Sequence, residues 1–153
     1  YTPGHTSNHM CYALKEERCL FTGDHVMGWS TSIVSPPDGD MTDYMHSLEL
    51  LLARDDERYW PTHGTCIDNV KDYIQSFIQH RLNREQQILE CLGTGLSRIK
   101  DMVPVMYTDT DKALYPAATR SVLAAMVRLV DTGQVVCDGV VSPDATYVLY
   151  DPA

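Results

Sequence analysis

Three short turns, each with one side chain that can bind a metal ion, constrain the fold of this chain more than any other feature. They read Thr2-Pro3-Gly4-His5-Thr6, Thr22-Gly23-Asp24 and Pro61-Thr62-His63-Gly64. Glycine and proline hold an unusual backbone path in such turns and leave room for a close approach. Imidazole and carboxylate groups are usual ligands of zinc, and a carboxylate can also bridge two metal ions. The turns therefore offer candidate metal ligands, although spacing alone is a weak signal and a histidine in such a turn is more often structural.

Hydrophobic patterning places these turns beside predicted strands. Residues 10–14 and 19–22 are short and apolar with a polar turn between them, which predicts a β-hairpin, and a further short strand is expected near residues 58–60. Apolar side chains recur at helical spacing over residues 41–54, where Asp40 is a suitable N-cap. A second stripe runs over residues 69–92 and weakens in the middle, so it predicts one long helix or two that nearly abut.

The rest of the chain predicts a different kind of domain. A short helix is expected over residues 97–103, ending before Pro104, and a longer one over residues 112–132, with Pro116 in its first turn. Val135-Val136 and Tyr147–Tyr150 then read as two strands. Three helices followed by a β-hairpin is the order of a winged helix-turn-helix. We therefore expect two domains, residues 1–82 and residues 83–153.

Composition and charge exclude several classes of protein. The 153 residues have an ordinary hydrophobic content of 44% and a net charge of −9, with −7 in residues 1–80 and −2 in residues 81–153. Neither part has the positive charge that drives non-specific nucleic-acid binding. No apolar run is long enough to span a membrane, and no secretory signal pattern is recognisable. The five cysteines are odd in number and form no C-x-x-C pair, which predicts free thiols in a reducing cytoplasm.

The three turns, in this order and at these intervals, resemble the second half of a metallo-beta-lactamase-fold hydrolase. Residues 69–92, which include His80-Arg81 and Arg84-Glu85-Gln86-Gln87-Ile88-Leu89, and the winged-helix-like tail narrow the resemblance to the lactamase-beta-like protein 2 group and its bacterial relatives. The resemblance covers almost the whole chain. It implies an α/β fold: a partial αββα metallo-beta-lactamase sandwich, followed by a small winged-helix-like domain.

The resemblance also implies roles for the three ligand candidates. His5 would bind the first zinc ion, His63 the second, and Asp24 would bridge both and take part in catalysis. The family's reactions are hydrolytic: a metal-bound hydroxide attacks an ester, thioester, lactam or phosphodiester. Substrates are small molecules or, in the members closest to this tail pattern, single-stranded RNA.

The sequence departs from the family in one respect. The His-x-His-x-Asp-His motif that normally precedes Thr-Pro-Gly-His-Thr is absent. Three ligands shared between two ions leave both undercoordinated. We therefore expect two zinc ions in the intact protein, weak or no metal binding and no activity in this chain alone, and a partner in the missing N-terminal half of the same fold. That half would cover an apolar face that this chain leaves exposed.

Four neighbouring side chains are weaker candidates. His9 and His25 could orient the ligands or line the site, and Trp29 and Ser30 could face a substrate. The alternatives are ordinary turn histidines and a loop that packs Trp29 on the core. A serine or cysteine nucleophile is disfavoured because no Gly-x-Ser-x-Gly elbow is present.

The tail leaves a second function open. Its basic residues Arg98, Lys100, Arg120 and Arg128 could contact nucleic-acid phosphates, with the 112–132 helix entering a groove. A third hypothesis is that the winged helix mediates self-association as a homodimer. Acidic residues flank the helix, so the hydrolase remains the principal hypothesis and the binding or dimerisation module the alternative.

Overall fold

The fold consists of two compact units joined within one helix. A computed structural model describes residues 1–152. The first unit is Tyr1–His80, and the second begins at Arg81. In chain order the strands and helices are β1 (Tyr12–Leu14), β2 (Cys19–Gly23), α1 (Met41–Leu52), β3 (Arg58–Pro61), α2 (Val70–Gly93), α3 (Ile99–Met106), α4 (Tyr115–Asp131), β4 (Val135–Cys137) and β5 (Tyr147–Leu149).

The first unit is built on a three-stranded sheet in the order β1-β2-β3. Strands β1 and β2 form the predicted antiparallel hairpin, and β3 pairs parallel to β2. Leu20 and Tyr59 are register partners on the buried face, where the Tyr59 hydroxyl donates to the carbonyl of Leu51 in α1. The other face carries the row Tyr12, Phe21 and Trp60, which are register partners and remain 63%, 48% and 43% exposed.

Helix α1 covers the buried face of this sheet. Its first turn is capped as expected, because the Asp40 carboxylate accepts from the backbone N–H of Asp43 at 2.8 Å. Its buried side chains follow the predicted stripe: Met41, Tyr44, Met45, Leu48 and Leu51. The helix ends at Leu52, two residues before the predicted end. The turn that contains the ligand candidate His5 is hydrogen-bonded to this helix.

Helix α2 is a single helix, which settles the alternative that the sequence left open. Its N-terminal part buries Ile74 and Phe77, and its C-terminal part buries Ile88. The apolar stripe weakens between them because a charged side chain is buried there instead: Glu85, 5% exposed, pairs with Arg128 of α4 at 2.6 Å. The predicted domain boundary after residue 82 lies two residues from the point where the two units divide.

The second unit has its own core. Buried side chains of α2, α3, α4 and the β4–β5 hairpin form it: Ile88, Cys91, Leu92, Ile99, Met102, Val103, Met106, Ala118, Val122, Ala125, Met126, Leu129, Val135 and Tyr147. The hairpin is antiparallel with Cys137 opposite Tyr147. The Tyr147 hydroxyl donates to the carbonyl of Ser142 at 2.6 Å and so anchors the loop between the strands. Burial raises the pKa of Tyr147 to about 12.

The predicted end of the third helix is wrong. Helix α3 does not stop before Pro104 but continues to Met106. Pro104 removes one backbone hydrogen bond, but Ile99, Met102, Val103 and Met106 all lie in the core at helical spacing. Their burial outweighs that loss because each buried apolar side chain contributes about 1.5–3 kcal/mol. Pro116, by contrast, stands in the first turn of α4, as expected.

No helix in residues 1–152 is long and apolar enough to cross a membrane. All five cysteines carry free thiols, in agreement with the expectation from their number and spacing.

Candidate metal centre

Strand topology brings Asp24 and His63 together. Asp24 follows β2 and His63 follows β3, and because these strands are parallel their carboxyl ends meet at one edge of the sheet. The backbone N–H of Thr62 donates to the carbonyl of Gly23 at 3.1 Å, which ties the two turns to each other. As a result, Nε2 of His63 lies 3.5 Å from Oδ1 of Asp24.

The third ligand candidate, His5, is held against helix α1. The carbonyl of Pro3 accepts from the Ser47 hydroxyl at 2.8 Å, and the carbonyl of Gly4 accepts from the Asp40 N–H at 2.9 Å. Gly4 has φ +125°, and a Cβ there would lie 2.2 Å from the backbone nitrogen of Tyr44. Only glycine therefore allows this turn to approach α1 so closely. Nε2 of His5 lies 3.8 Å from Oδ2 of Asp24.

One carboxylate thus faces two histidines, with a different oxygen toward each. Ligand atoms about 2.1 Å from one tetrahedral ion lie about 3.4 Å apart, close to both separations. Oδ1 of Asp24 is buried and has no hydrogen-bond partner in the part of the chain that the structure describes. Buried carboxylate oxygens are normally paired, so this orphaned oxygen and two imidazoles have the donor chemistry of a metal site. The side chains of His5, Asp24 and His63 therefore fit the zinc ions that the sequence implies.

The imidazole of His5 has a defined orientation. Its Nδ1 lies 2.5 Å from the carbonyl oxygen of Ile33, so Nδ1 carries the hydrogen and donates it. The other ring nitrogen, Nε2, is then left to accept or to bind a metal ion, and it is the one that lies near Asp24. A histidine that binds a metal ion usually donates its other N–H in this way, which fixes the tautomer and makes the ligand atom more basic.

The loop that contains Ile33 also contacts the turn that carries His63. The N–H of Gly28 donates to the carbonyl of His63 at 2.8 Å, and Gly28 pairs with Gly64 as a parallel bridge. The indole of Trp29 lies parallel to the His63 imidazole, with 9° between the planes and 6.0 Å between ring centroids. The segment from Gly28 to Ile33 therefore contacts two of the three ligand candidates.

The ligand set is incomplete in this chain. Within residues 1–152 no group of three or more histidine, cysteine, aspartate or glutamate side chains is arranged to hold a metal ion by itself. His5 and His63 each approach Asp24, but each would be one of only two ligands to its ion. A catalytic zinc ion needs at least three protein ligands plus water.

His9 lies beside the ligand candidate His5, and His25 lies beside His9. Nδ1 of His9 is 3.0 Å from the hydroxyl of Thr2, and its ring centroid is 6.1 Å from that of His5. Burial, and secondarily the nearby His5, lower the pKa of His9 below its ordinary value. His25 is completely buried, with its ring 4.5 Å from that of Tyr44, so it packs in the core rather than facing a substrate.

Trp29 and Ser30 are both exposed. Trp29 has 71% of its surface open to solvent, so the alternative in which it packs on the core does not hold. Sequence reasoning missed Gly28 and the carbonyl of Ile33, which contact the ligand candidates His63 and His5. Only the glycine left a signal, since Gly28 precedes a polar loop. A backbone carbonyl leaves none.

The four basic residues proposed for nucleic-acid contact do not share one environment. Arg98, Lys100 and Arg120 are exposed, before α3, in α3 and in α4. The guanidinium of Arg128 is instead committed to the buried carboxylate of Glu85. Burial raises the pKa of Glu85, although Arg128 opposes this effect.

Comparison with known proteins identifies both units. Residues 1–63 match the metallo-beta-lactamase superfamily, and residues 99–140 match the beta-lactamase associated winged helix domain. A beta-lactamase-like protein 2 homolog from Drosophila melanogaster is 34% identical over 155 residues, which cover 99% of this chain and 51% of that protein. The lactamase-like protein vrtG of Penicillium aethiopicum is 33% identical over 80% of this chain and 39% of its own length.

A solved structure supports the same fold. A metallo-beta-lactamase family protein from Thermus thermophilus superposes with a TM-score of 0.82 at 21% identity, over 98% of this chain and 48% of that one. This chain therefore spans about half the length, or less, of the proteins it matches. The matches to both domains, the similarity to the beta-lactamase-like protein 2 homologues and the fold place this chain in the metallo-beta-lactamase superfamily, with a beta-lactamase associated winged helix as its second domain.

Proposed function

We propose that this chain contributes His5, Asp24 and His63 to the metal centre of a hydrolase. The single observation that carries the proposal is the position of Asp24, whose two oxygens lie 3.8 Å and 3.5 Å from the Nε2 atoms of two histidines. A carboxylate placed in this way can bridge two ions. Nitrogen and oxygen donors of this kind suit zinc, and two zinc ions are the proposed complement.

The residues have distinct tasks in this proposal. Two bound metal ions would supply a water of lowered pKa, and hence a nucleophile near neutral pH. His5, whose imidazole is oriented by the Ile33 carbonyl, and His63, whose backbone is held by the N–H of Gly28, would each offer a ring nitrogen to the site. Asp24 would hold both ions, one with each carboxylate oxygen, and would take part in catalysis by keeping them on either side of that water.

The remaining ligands must come from outside this chain. We propose that they come from a segment that corresponds to the other half of the longer relatives and would carry a His-x-His-x-Asp-His motif. The row Tyr12, Phe21 and Trp60 supports this proposal, because three aromatic side chains stand exposed side by side on one sheet face. An open cavity of about 450 Å³ lies on the same face. A second sheet packed there would bury this row.

The proposed reaction is hydrolysis of one of several kinds of bond. Esters, thioesters, lactams and phosphodiesters all pass through a transition state with negative charge on oxygen, which a pair of cations stabilises. The substrate is therefore a small molecule or an RNA strand with one of these groups. We place the reaction in a reducing cytoplasm, since five free thiols persist there.

Activity of the intact protein tests this proposal. The intact zinc-loaded protein should hydrolyse at least one member of a panel of ester, thioester, lactam and RNA substrates. His5→Ala and Asp24→Asn should each lower kcat/KM by about 100-fold or more, because loss even of a residue that supports a ligand costs about 10- to 100-fold. His46→Ala is the matched control, since His46 is exposed on α1. Wild-type rates in the His5 and Asp24 variants would refute the assignment.

A second candidate function belongs to the winged-helix unit. The outer face of its hairpin exposes Val136 and Val148, which are register partners, together with Tyr150. An apolar face with Arg128 already paired favours self-association over nucleic-acid binding. Sedimentation of the intact protein and of Val148→Lys tests this candidate: a dimer that the substitution dissociates supports it, and a monomer at high micromolar concentration rejects it.

A further inference from the structure

Trp29 is the most exposed large aromatic side chain beside the candidate metal centre. Its indole is 71% exposed although it lies parallel to His63, whose imidazole is one of the proposed ligands. Burying an indole from water is favourable, and buried tryptophans usually also satisfy their N–H. An exposed indole on a loop next to a reaction centre therefore has an apolar surface that remains open to solvent at the place where a substrate would lie.

The backbone that carries Trp29 is fixed rather than free. Gly28, the preceding residue, donates its N–H to the His63 carbonyl at 2.8 Å and pairs with Gly64. A Cβ on Gly28 would lie 2.3 Å from the carbonyl oxygen of Thr65, so the two segments are in direct backbone contact. Four residues after Trp29, the carbonyl of Ile33 is held by His5. The indole is thus attached to a segment held near both ends, which lowers the entropy cost of using it as a contact surface.

The segment also presents a second exposed apolar side chain. Ile33 is 56% exposed, and its carbonyl lies against His5. The two exposed apolar residues of this loop therefore each contact one of the histidines that approach Asp24: Trp29 contacts His63, and Ile33 contacts His5. Metal-binding groups with an apolar rim are typical of a site that holds the apolar part of a substrate while the polar centre reacts.

We propose that Trp29 is a specificity-determining residue, whose indole stacks on a flat aromatic group next to the scissile bond of the substrate. Aromatic rings stack offset and parallel, and the indole offers the largest such surface of any side chain. The arrangement predicts selection of aryl-bearing over alkyl-bearing carboxylic esters. This inference rests on the proposed hydrolase function, because it assigns the substrate class of the same site.

A ratio of rates tests this role. The intact zinc-loaded protein is assayed with methyl phenylacetate and methyl hexanoate, and the two kcat/KM values are divided. Trp29→Leu should lower the aryl-to-alkyl ratio by about three- to tenfold, and Trp29→Phe should retain most of it, since an aromatic pair contributes a selectivity of this size. Leu50→Ala is the control, because Leu50 is an exposed apolar residue of α1. Equal losses for both esters in Trp29→Leu would show that Trp29 only supports His63, and would overturn the proposal.

A binding measurement separates this inference from the hydrolase proposal. The indole N–H signal of Trp29 in the metal-free intact protein, assigned with Trp29→Phe, is followed by NMR during titration with phenylacetate and with hexanoate. Stacking should shift the signal at lower concentrations of phenylacetate than of hexanoate. Identical titrations would overturn the stacking role whether or not esters are hydrolysed. If phenylacetate binds selectively but no substrate of the panel is cleaved, the hydrolase proposal fails and the aromatic site stands.

Discussion

Gly28 and Gly64 lie side by side as a parallel backbone pair, and a Cβ atom on Gly64 would be only 2.6 Å from the carbonyl carbon of Gly28. This contact joins the turn that carries His63 to the loop that carries Trp29. A Cβ on Gly28 would in turn lie 2.3 Å from the carbonyl oxygen of Thr65, so glycine is needed at position 28 because of backbone contact rather than an unusual φ.

Gly28→Ala should therefore disturb the metal centre. Its Cβ would meet the backbone of Thr65 at 2.3–2.8 Å, and the backbone cannot move without displacing His63. We expect zinc affinity of the intact protein to fall by about 10- to 100-fold, the usual cost of losing support for a ligand, as measured by competition with a chelator. Gly93→Ala is the control because a Cβ there would meet no atom of residues 1–152 within 4 Å, outside its own helix and chain neighbours. Unchanged zinc affinity in Gly28→Ala would show that the pair has no role in the site.

The exposed aromatic row leads to a prediction about stability. If another segment of the intact protein covers this face, Phe21→Lys should destabilise that protein by about 2–4 kcal/mol, because a buried aromatic contact is lost and a charge is placed in its position. Leu50→Lys is the matched control, since Leu50 is similarly exposed at 54% but lies on α1. Denaturant unfolding of the two variants measures the difference. Equal effects would indicate that the Phe21 face stays in water.

The buried pair of Glu85 and Arg128 leads to a pH-dependent prediction. Burial raises the pKa of Glu85, so the folded state holds its proton more tightly than the unfolded chain does. The stability that this group contributes is therefore complete below its unfolded pKa of about 4.3, and is lost as the pH rises through the folded pKa. Arg128 opposes the shift. Arg128→Met should thus raise the pKa of Glu85 further.

The expected size follows from the cost of an unpaired buried charge. At neutral pH, Arg128→Met should destabilise the protein by about 3–5 kcal/mol, and by clearly less near pH 4, where Glu85 is protonated. Unfolding at the two pH values measures this, and NMR titration of the Glu85 carboxyl carbon measures the pKa directly. A penalty that is the same at both pH values would contradict the account.

Short-range signals in the sequence predicted the elements that depend on them. Asp40 and the stripe from Met41 to Leu51 gave α1 to within two residues, because capping and helical spacing are local. The end of α3 could not be predicted in this way. Pro104 is a local stop signal, but the burial of Met106 in a core built by distant residues overrides it.

The candidate site also combines features that depend on local sequence with features that depend on distant residues. The three turns were recognisable because in each of them a glycine, in two of them with a proline, stands close to a side chain that can bind a metal ion. The support of His5 by the Ile33 carbonyl joins residues 28 positions apart, and the burial of His25 depends on Tyr44, 19 positions away. No local pattern encodes such contacts, so the ligand candidates could be proposed from the sequence but the groups that orient them could not.

Metal content tests the central claim most directly. The intact protein, purified without chelator, is analysed for zinc per chain, together with Asp24→Asn and the control Asp55→Asn, a substitution of an exposed aspartate. If Asp24 binds two ions between His5 and His63, the wild type and the control should hold about two zinc ions per chain, and Asp24→Asn should lose most of this metal. Full zinc content in Asp24→Asn, or none in the wild type, would contradict the account.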